Sequence, residues 1–146
     1  MPAVQLLRLH SAQEAKGLIN TNSLKQLLQT AFNLTAFPFK YINSIWNDGE
    51  CWYVMVDSNK EVIAAATLRQ KDHSLWNFAV HSAYQRKGLG RMLLHYIRQE
   101  VPGLHWWVDK NNTAAISFYR KCGASAPSQH DPRNCRPASD QVAFHF

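Results

Sequence analysis

The sequence predicts strands and helices combined in one chain, an α+β fold, on three observations. Apolar runs of strand length alternate with stretches whose apolar residues recur at i, i+3, i+4, i+7 and i+8. Asp57-Ser58-Asn59-Lys60 separates two of these runs as a hairpin turn would. Further on, a periodic helix joins two more runs, and such a β-α-β unit makes its strands parallel. The 146 residues fit a single domain, 1–146, long enough to bury a core without disulfides.

In chain order, residues 4–9 read as a first strand. Ser11-Ala12-Gln13-Glu14 has the form of a capping box, so a helix starts at Ser11, kept short by Gly17. Leu24, Leu27, Leu28, Ala31 and Phe32 form the apolar face of a second helix. Residues 33–50 are irregular, with Pro38 excluding a helix there. Phe37, Phe39, Tyr41, Ile42 and Trp46 would pin this connection to the core and could also wall a binding site. Residues 51–56 and 61–69 are the two strands of the hairpin. Residues 74–81 form the next strand, with Trp76, Phe78 and Val80 on one face and Leu75, Asn77 and Ala79 on the other. The crossover helix presents Leu89, Met92, Leu93, Tyr96 and Ile97, and Val101-Pro102-Gly103 ends it. A strand at 104–108, a loop of capping residues at 109–112 and a helix at 113–121 closed by Gly123 follow. Residues 124–140 lack periodicity, and 141–146 alternate as an edge strand would.

Composition narrows the function. The three cysteines, Cys51, Cys122 and Cys135, are odd in number and lack metal-ligand spacing, so the expectation is a reduced, cytoplasmic protein without a metal. No apolar run is long enough to span a bilayer, and the first residues lack the pattern of a signal peptide. The formal charge of +6 is scattered rather than gathered in a tract. That speaks against nucleic acid and leaves a polyanionic small molecule open.

Such a ligand has a candidate site. Gln85-Arg86-Lys87-Gly88-Leu89-Gly90 stands between a strand and a helix, and Arg91 follows it. Glycines let the backbone turn tightly, and free N–H groups at a helix start favour anions. The spacing is not that of a nucleoside-triphosphate loop. Nor is it the dinucleotide fingerprint, because Leu93 stands where a third glycine belongs. The hexamer resembles the acyl-coenzyme A loop, Q/R-x-x-G-x-G/A, of the GNAT superfamily of N-acetyltransferases. A second stretch, Asn112 with Ala115, Tyr119 and Gly123, resembles that family's N-x-x-A-x-x-x-Y-x-x-x-G signature. The resemblance covers residues 51–123. It departs at Ala124, where the family usually has a bulky apolar residue.

The resemblance implies an α/β/α sandwich, a mixed, twisted central sheet with flanking helices, in which the parallel strands 74–81 and 104–108 splay apart. Acetyl-CoA, the cosubstrate, would lie in the cleft against Phe78, Ala79 and Val80. Its pantetheine arm would pair with the backbone of Phe78 and Val80. Its pyrophosphate would rest on the amides of Gln85, Arg86, Lys87, Gly88, Leu89 and Gly90, beside Arg91. Asn112 would face the pantetheine end or the acyl group, with Ala115, Phe118 and Tyr119 on the same helix. The resemblance further implies Tyr119 as the acid that protonates the leaving thiolate, and the Val80 N–H as the oxyanion donor. A phenol titrates near a thiol's range, which suits donation.

The general base stays open among His73, Ser74, Asn77, Glu61, His81, Asp109 and a water relay. The acceptor stays open between a small amine, an amino acid and a protein amine. Asp48, Glu50, Tyr41, Trp46, Trp106 and Trp107 are candidates to meet it, although one of the two adjacent tryptophans belongs to the core. The expected assembly is a monomer or homodimer. The alternatives are a non-catalytic acyl-CoA-binding regulatory module and a nucleic-acid-binding domain.

Overall fold

The structure, a computed structural model, describes residues 3–32, 50–125 and 141–146. Ser11 caps the first helix as its sequence predicts, its Oγ accepting the Glu14 N–H at 3.0 Å. Strand β1 (Gln5–Leu9), helices α1 (Ala12–Leu18) and α2 (Thr21–Ala31), and strands β2 (Cys51–Val56), β3 (Val62–Arg69) and β4 (Ser74–Val80) come first. A short 3-10 turn (Ser82–Tyr84), helix α3 (Leu89–Glu100), strand β5 (His105–Asp109), helix α4 (Thr113–Lys121) and strand β6 (Gln141–His145) follow. The aromatic connection expected to wall a site, with Phe37, Phe39, Tyr41, Ile42, Trp46 and Asp48, lies outside the described residues.

One sheet carries the six strands in the order β1-β2-β3-β4-β5-β6. Every neighbouring pair is antiparallel except β4 and β5, so the sheet is mixed. The alanines of β3 are not helical. Ala64, Ala65 and Ala66 are fully buried between β2 and β4, where small side chains let helices press on both faces. One face packs Leu89, Leu93, Leu94 and Ile97 of α3 on Tyr53, Met55 and Ile63. The other packs Leu24, Leu27 and Leu28 of α2 on Trp52, Val54 and Ala65.

Two expected faces are corrected. In α3, Met92 is 50% exposed, whereas Leu94 is fully buried. Gly90 lies against Val80 and Phe118. That close approach turns the Gly90–Leu94–Ile97 edge toward the sheet and rolls Met92 into solvent. In β4 the strict alternation fails. Ala65 pairs with Ala79 but Thr67 pairs with Trp76, so Asn77 and Phe78 together oppose Ala66. This is a β-bulge, and Asn77 sits in it at φ +55°. The bulge puts Leu75, Phe78 and Val80 with the α3 core, and Ala79 with the α2 core. Trp76, paired with Thr67, joins the α2 face rather than the face of Phe78 and Val80.

The last helix ends as expected. Gly123, at φ +89°, donates its N–H to Arg120 O at 3.0 Å, and Ala124 donates to Tyr119 O at 3.1 Å, the two bonds of a Schellman motif. The small Ala124 is 7% exposed, inside the α3-side core. Ser125 then bridges to His145, so the chain past the helix is tied to the edge strand.

Candidate active site

Strands β4 and β5 share a single parallel pairing, Ser74 with His105, at the start of each. Beyond it they diverge, and α4 and the bulge border the opening. The resulting gap has a volume of about 460 Å³, and Trp76, Phe78, Trp106, Asn112, Ala115 and Tyr119 are among its walls. The ladder shows which backbone groups face it. Val80 is paired with Ala64, and the His81 N–H bonds Ile63 O at 2.8 Å. In an antiparallel ladder that bond makes Ala64 and Val80 a non-hydrogen-bonded pair. The Val80 N–H therefore turns away from β3, toward the gap. Ala79 does the opposite. Its register with Ala65 commits its backbone to β3, and its side chain is 4% exposed in the α2 core. The structure does not bring Ala79 to the gap.

Past the end of β4 the chain folds into a cradle. The Gln85 side chain reaches back to donate to Val80 O at 3.0 Å. Arg86 and Gly88 have left-handed φ values of +63° and +81°. Left-handed residues next to a helical turn bend successive N–H groups into an anion-binding concavity. Helix α3 then opens on Gly88 with no side-chain cap, and Met92 is bonded back to Gly88 O at 3.0 Å. The N–H groups of Leu89, Gly90 and Arg91 precede that first intrahelical bond and lie at the positive end of the dipole. The Leu89 side chain is core, 2% exposed, so only its backbone can serve the loop. Arg86, Lys87 and Arg91 are exposed around the cradle, with Lys87 Nζ 5.7 Å from the Tyr84 ring centroid. These features fit the pyrophosphate of acetyl-CoA.

Tyr119 lines the gap on the α3 side and is 7% exposed. Its ring lies 5.0 Å from Trp106, 5.3 Å from Phe118, 5.6 Å from Phe144 and 6.0 Å from Phe78, centroid to centroid. Burial in this aromatic shell, helped by Cys122, pushes the phenol above its ordinary range. The expectation of a phenol titrating near a thiol is thereby corrected: Tyr119 keeps its proton well into alkali. Phe118 is half-buried, 5.9 Å from Phe78. Asn112 is the N-cap of α4, its Oδ1 accepting the Ala115 N–H at 3.2 Å, so one end of that amide is committed to the helix.

The candidate bases are scattered. Asn77 and Asp109 line the gap, where Asn77 Nδ2 bonds Thr67 Oγ1 at 3.0 Å and Asp109 Oδ1 accepts the Asn111 N–H at 2.8 Å. Glu61 and His81 line a separate cavity of about 730 Å³ between α2 and the end of β4. His73 Nδ1 is bonded to Pro102 O and Ser74 Oγ to Asp72, both at 2.6 Å, away from both openings. Of the tryptophan pair, Trp106 is core and Trp107 half-buried at the gap. Trp76 and Phe32 also line the gap. Neither was a candidate from sequence, because strict alternation hid the exposure of Trp76 and helical spacing assigned Phe32 to the core.

Comparison with known proteins agrees with this architecture. Residues 21–124 match the acetyltransferase (GNAT) family. The [ribosomal protein bS18]-alanine N-acetyltransferase of Salmonella typhimurium is 31% identical over 115 residues, 73% of this chain and 78% of that protein. Its Escherichia coli K12 counterpart is 32% identical over 113 residues, 72% and 75% of the two chains. The crystal structure of the E. coli ribosomal-protein-S18-alanine N-acetyltransferase superposes with a TM-score of 0.70 at 23% identity, covering 100% of this chain and 93% of that one. A putative streptothricin acetyltransferase from Bacillus anthracis, in complex with acetyl coenzyme A, gives 0.52 at 21% identity, covering 66% and 62%. The chain belongs to the GNAT family and is an N-acetyltransferase that moves an acetyl group from acetyl-CoA to an amine.

Proposed function

We propose that the acceptor is the α-amino group of a protein N-terminus, and that transfer occurs in the gap between β4 and β5 by direct attack in a ternary complex. The relatives at 31% and 32% identity are named for acetylating the alanine of ribosomal protein bS18, and this chain spans about three quarters of each. The observation that carries this reading is the Val80 N–H turned away from β3, on the edge of β4 that faces β5, next to the gap lined by Tyr119.

Acetyl-CoA supplies an activated thioester. Everything else falls to the chain. The cradle at 85–91 offers N–H groups and three exposed cations to the pyrophosphate. The Val80 N–H donates to the thioester oxygen as it gains charge, a contribution typically worth about 10²–10³-fold in rate. Tyr119 stays protonated and donates to the sulfur as the C–S bond breaks. With its pKa raised it is a poor acid, so it steadies the leaving thiolate by a hydrogen bond, and the thiolate takes its proton from solvent. Asp109 is the one carboxylate lining the gap among the described residues, and its Oδ1 is engaged by Asn111. In this reading the amine loses its proton to solvent before or during attack.

The test is direct. Purified protein is given acetyl-CoA and peptides with free or blocked N-termini, each containing an internal lysine. CoA-thiol release and mass spectrometry locate the acetyl group. Acetylation at the α-amine alone supports the reading. Modification of lysine alone, or turnover only with small polyamines, overturns it.

A further inference from the structure

Residues from both faces of the sheet line the gap between β4 and β5, and the two sides differ. Toward α3 it meets Phe78, Trp106 and Tyr119, beside the cradle. Toward α2 it meets Trp76, Trp107 and Phe32. Trp76 is 40% and Phe32 42% exposed. The Trp76 and Trp107 rings pack against each other, 5.4 Å apart and tilted by 48°. If acetyl-CoA occupies the α3 side, an amine reaches the acetyl group past this pair.

An exposed tryptophan on a strand is free to change rotamer unless something holds it, and Trp76 is held. Its Nε1–H donates to Ser74 Oγ at 2.7 Å. Ser74 Oγ donates in turn to Asp72 Oδ1 at 2.6 Å. Arg69 grips Asp72 with Nε at 3.1 Å and Nη2 at 2.6 Å. The same guanidinium lies 4.9 Å from the Trp76 ring centroid and covers part of that ring. Ser74 is fully buried and is the residue whose pairing with His105 marks where the strands part. Burial opposes ionisation of Asp72, yet the bonds from Arg69 and Ser74 hold its carboxyl well below the usual carboxylate range. The chain of contacts stays charged across any working pH. On the other strand, Trp107 is braced edge-on by His105, 5.4 Å away at 86°. Locking side chains through neighbours with their own hydrogen bonds is how a recognition surface is preorganised.

We infer that Trp76 and Trp107 form an acceptor subsite for an aromatic ring carried close to the amine, with Asp72, Arg69 and Ser74 as positioning residues for Trp76. The inference rests on the proposed placement of acetyl-CoA on the α3 side, but not on the acceptor being a protein. Trp76 is 40% exposed and Trp107 half-buried, so the packed pair still presents ring surface against which a third ring can pack tilted. A cationic group is the poorer fit, because Arg69 already places a cation on Trp76.

The experiment compares acceptors matched in size. Peptides with Tyr, Leu, Arg or Glu as their second residue are tested beside 2-phenylethylamine and hexylamine. A ring is expected to raise kcat/KM about 3- to 10-fold over the aliphatic partner. Trp76→Ala removes that preference and Trp76→Phe keeps part of it. Ser74→Ala weakens the preference through the acceptor KM and leaves the KM for acetyl-CoA unchanged, which a general loss of stability would not do. Should no acceptor turn over, calorimetry of the N-acetylated peptides on CoA-saturated protein reads the same preference as affinity. Equal values for ring and aliphatic partners, or a ring preference that survives both Trp76→Ala and Trp107→Ala, overturns the subsite. Failure of every peptide with a ring preference kept among the small amines overturns the protein acceptor alone.

Discussion

Gly90 lies so close to Val80 that a Cβ built on it would stand 3.1 Å from Val80 Cγ2, and 3.2 Å from Phe118 Cζ. The first turn of α3 is thereby pressed onto the end of β4, which fixes the cradle relative to the Val80 N–H. Gly90→Ala is expected to destabilise the fold by about 1–3 kcal/mol, the usual cost of overpacking. It should also raise the KM for acetyl-CoA, as α3 moves away from the strand. Urea unfolding and steady-state kinetics measure the two effects, and an alanine variant with native stability and KM would disprove the contact's importance.

Gly88 is needed for a different reason. It has open space where a Cβ would be, but a φ of +81°. Its substitution is penalised by the backbone alone, about 1–2 kcal/mol for alanine. Asparagine tolerates the left-handed region better than other non-glycine residues. Gly88→Asn should therefore be milder than Gly88→Ala, whereas Gly90→Asn should be worse than Gly90→Ala. The same order at both positions, read from thermal midpoints, would contradict this assignment.

This contrast also bears on what the sequence could reveal. The loop 85–90 and the spacing of Asn112, Ala115, Tyr119 and Gly123 are local, and local pattern foretold a glycine turn opening α3 and Gly123 closing α4. The parallel pair was legible from the crossover. The bulge was not, because Asn77 is an ordinary strand-interior polar residue until its pairing partner is known. Missing that one residue put Trp76 on the wrong face and hid its exposure. Met92 and Leu94 were exchanged for a similar reason: both extend a helical stripe, and only the close approach of Gly90 selects between them. Trp106 and Trp107 could be split into one core and one site residue by alternation, but which was which depended on β6 and α4.

Tyr119 makes a pH prediction. Its folded pKa is raised above the ordinary phenol value by burial. A raised acid favours the protonated form in the fold, so its stabilising effect is present below about pH 10 and lost as pH climbs through the folded pKa. In the working range Tyr119 is a constant donor. The rate should rise with pH as the amine deprotonates and then level, with no descending limb below about pH 10. Tyr119→Phe should lower kcat by roughly 10²–10³-fold, the worth of one positioned hydrogen-bond donor, without moving the ascending limb. A descending limb near pH 8–9 that disappears in Tyr119→Phe would contradict the buried, protonated phenol.

Asn112 tests whether its amide serves the helix or the cosubstrate. Its Oδ1 caps α4 through the Ala115 N–H. Asn112→Ala should cost about 1 kcal/mol by loss of the cap. Asn112→Asp keeps an acceptor at that position, and also suits the helix dipole, so it should restore stability. If the Nδ2 end also contacts acetyl-CoA, the aspartate variant will be stable but raised in KM. Recovery of both stability and KM would confine Asn112 to capping.

The bulge in β4 sets the register on which the proposed chemistry depends. Asn77 holds φ +55° while its Nδ2 bonds Thr67 Oγ1 at 3.0 Å across the pair. Asn77→Gly keeps the backbone accessible and forfeits the side-chain bond to Thr67, so a loss near 1 kcal/mol is expected. Asn77→Val cannot adopt that φ without strain, because a branched Cβ clashes in the left-handed region. The strand then either stores the strain or slips by one residue, and a slip turns every side chain beyond it to the opposite face. Val80 would exchange its ladder position with a neighbour, and its N–H would no longer face the gap. The valine variant should therefore lose stability by about 2–3 kcal/mol and lose kcat as well, while glycine keeps most of its turnover. If valine proves as active as glycine, the bulge is dispensable and the Val80 N–H is not the donor on which the rate depends.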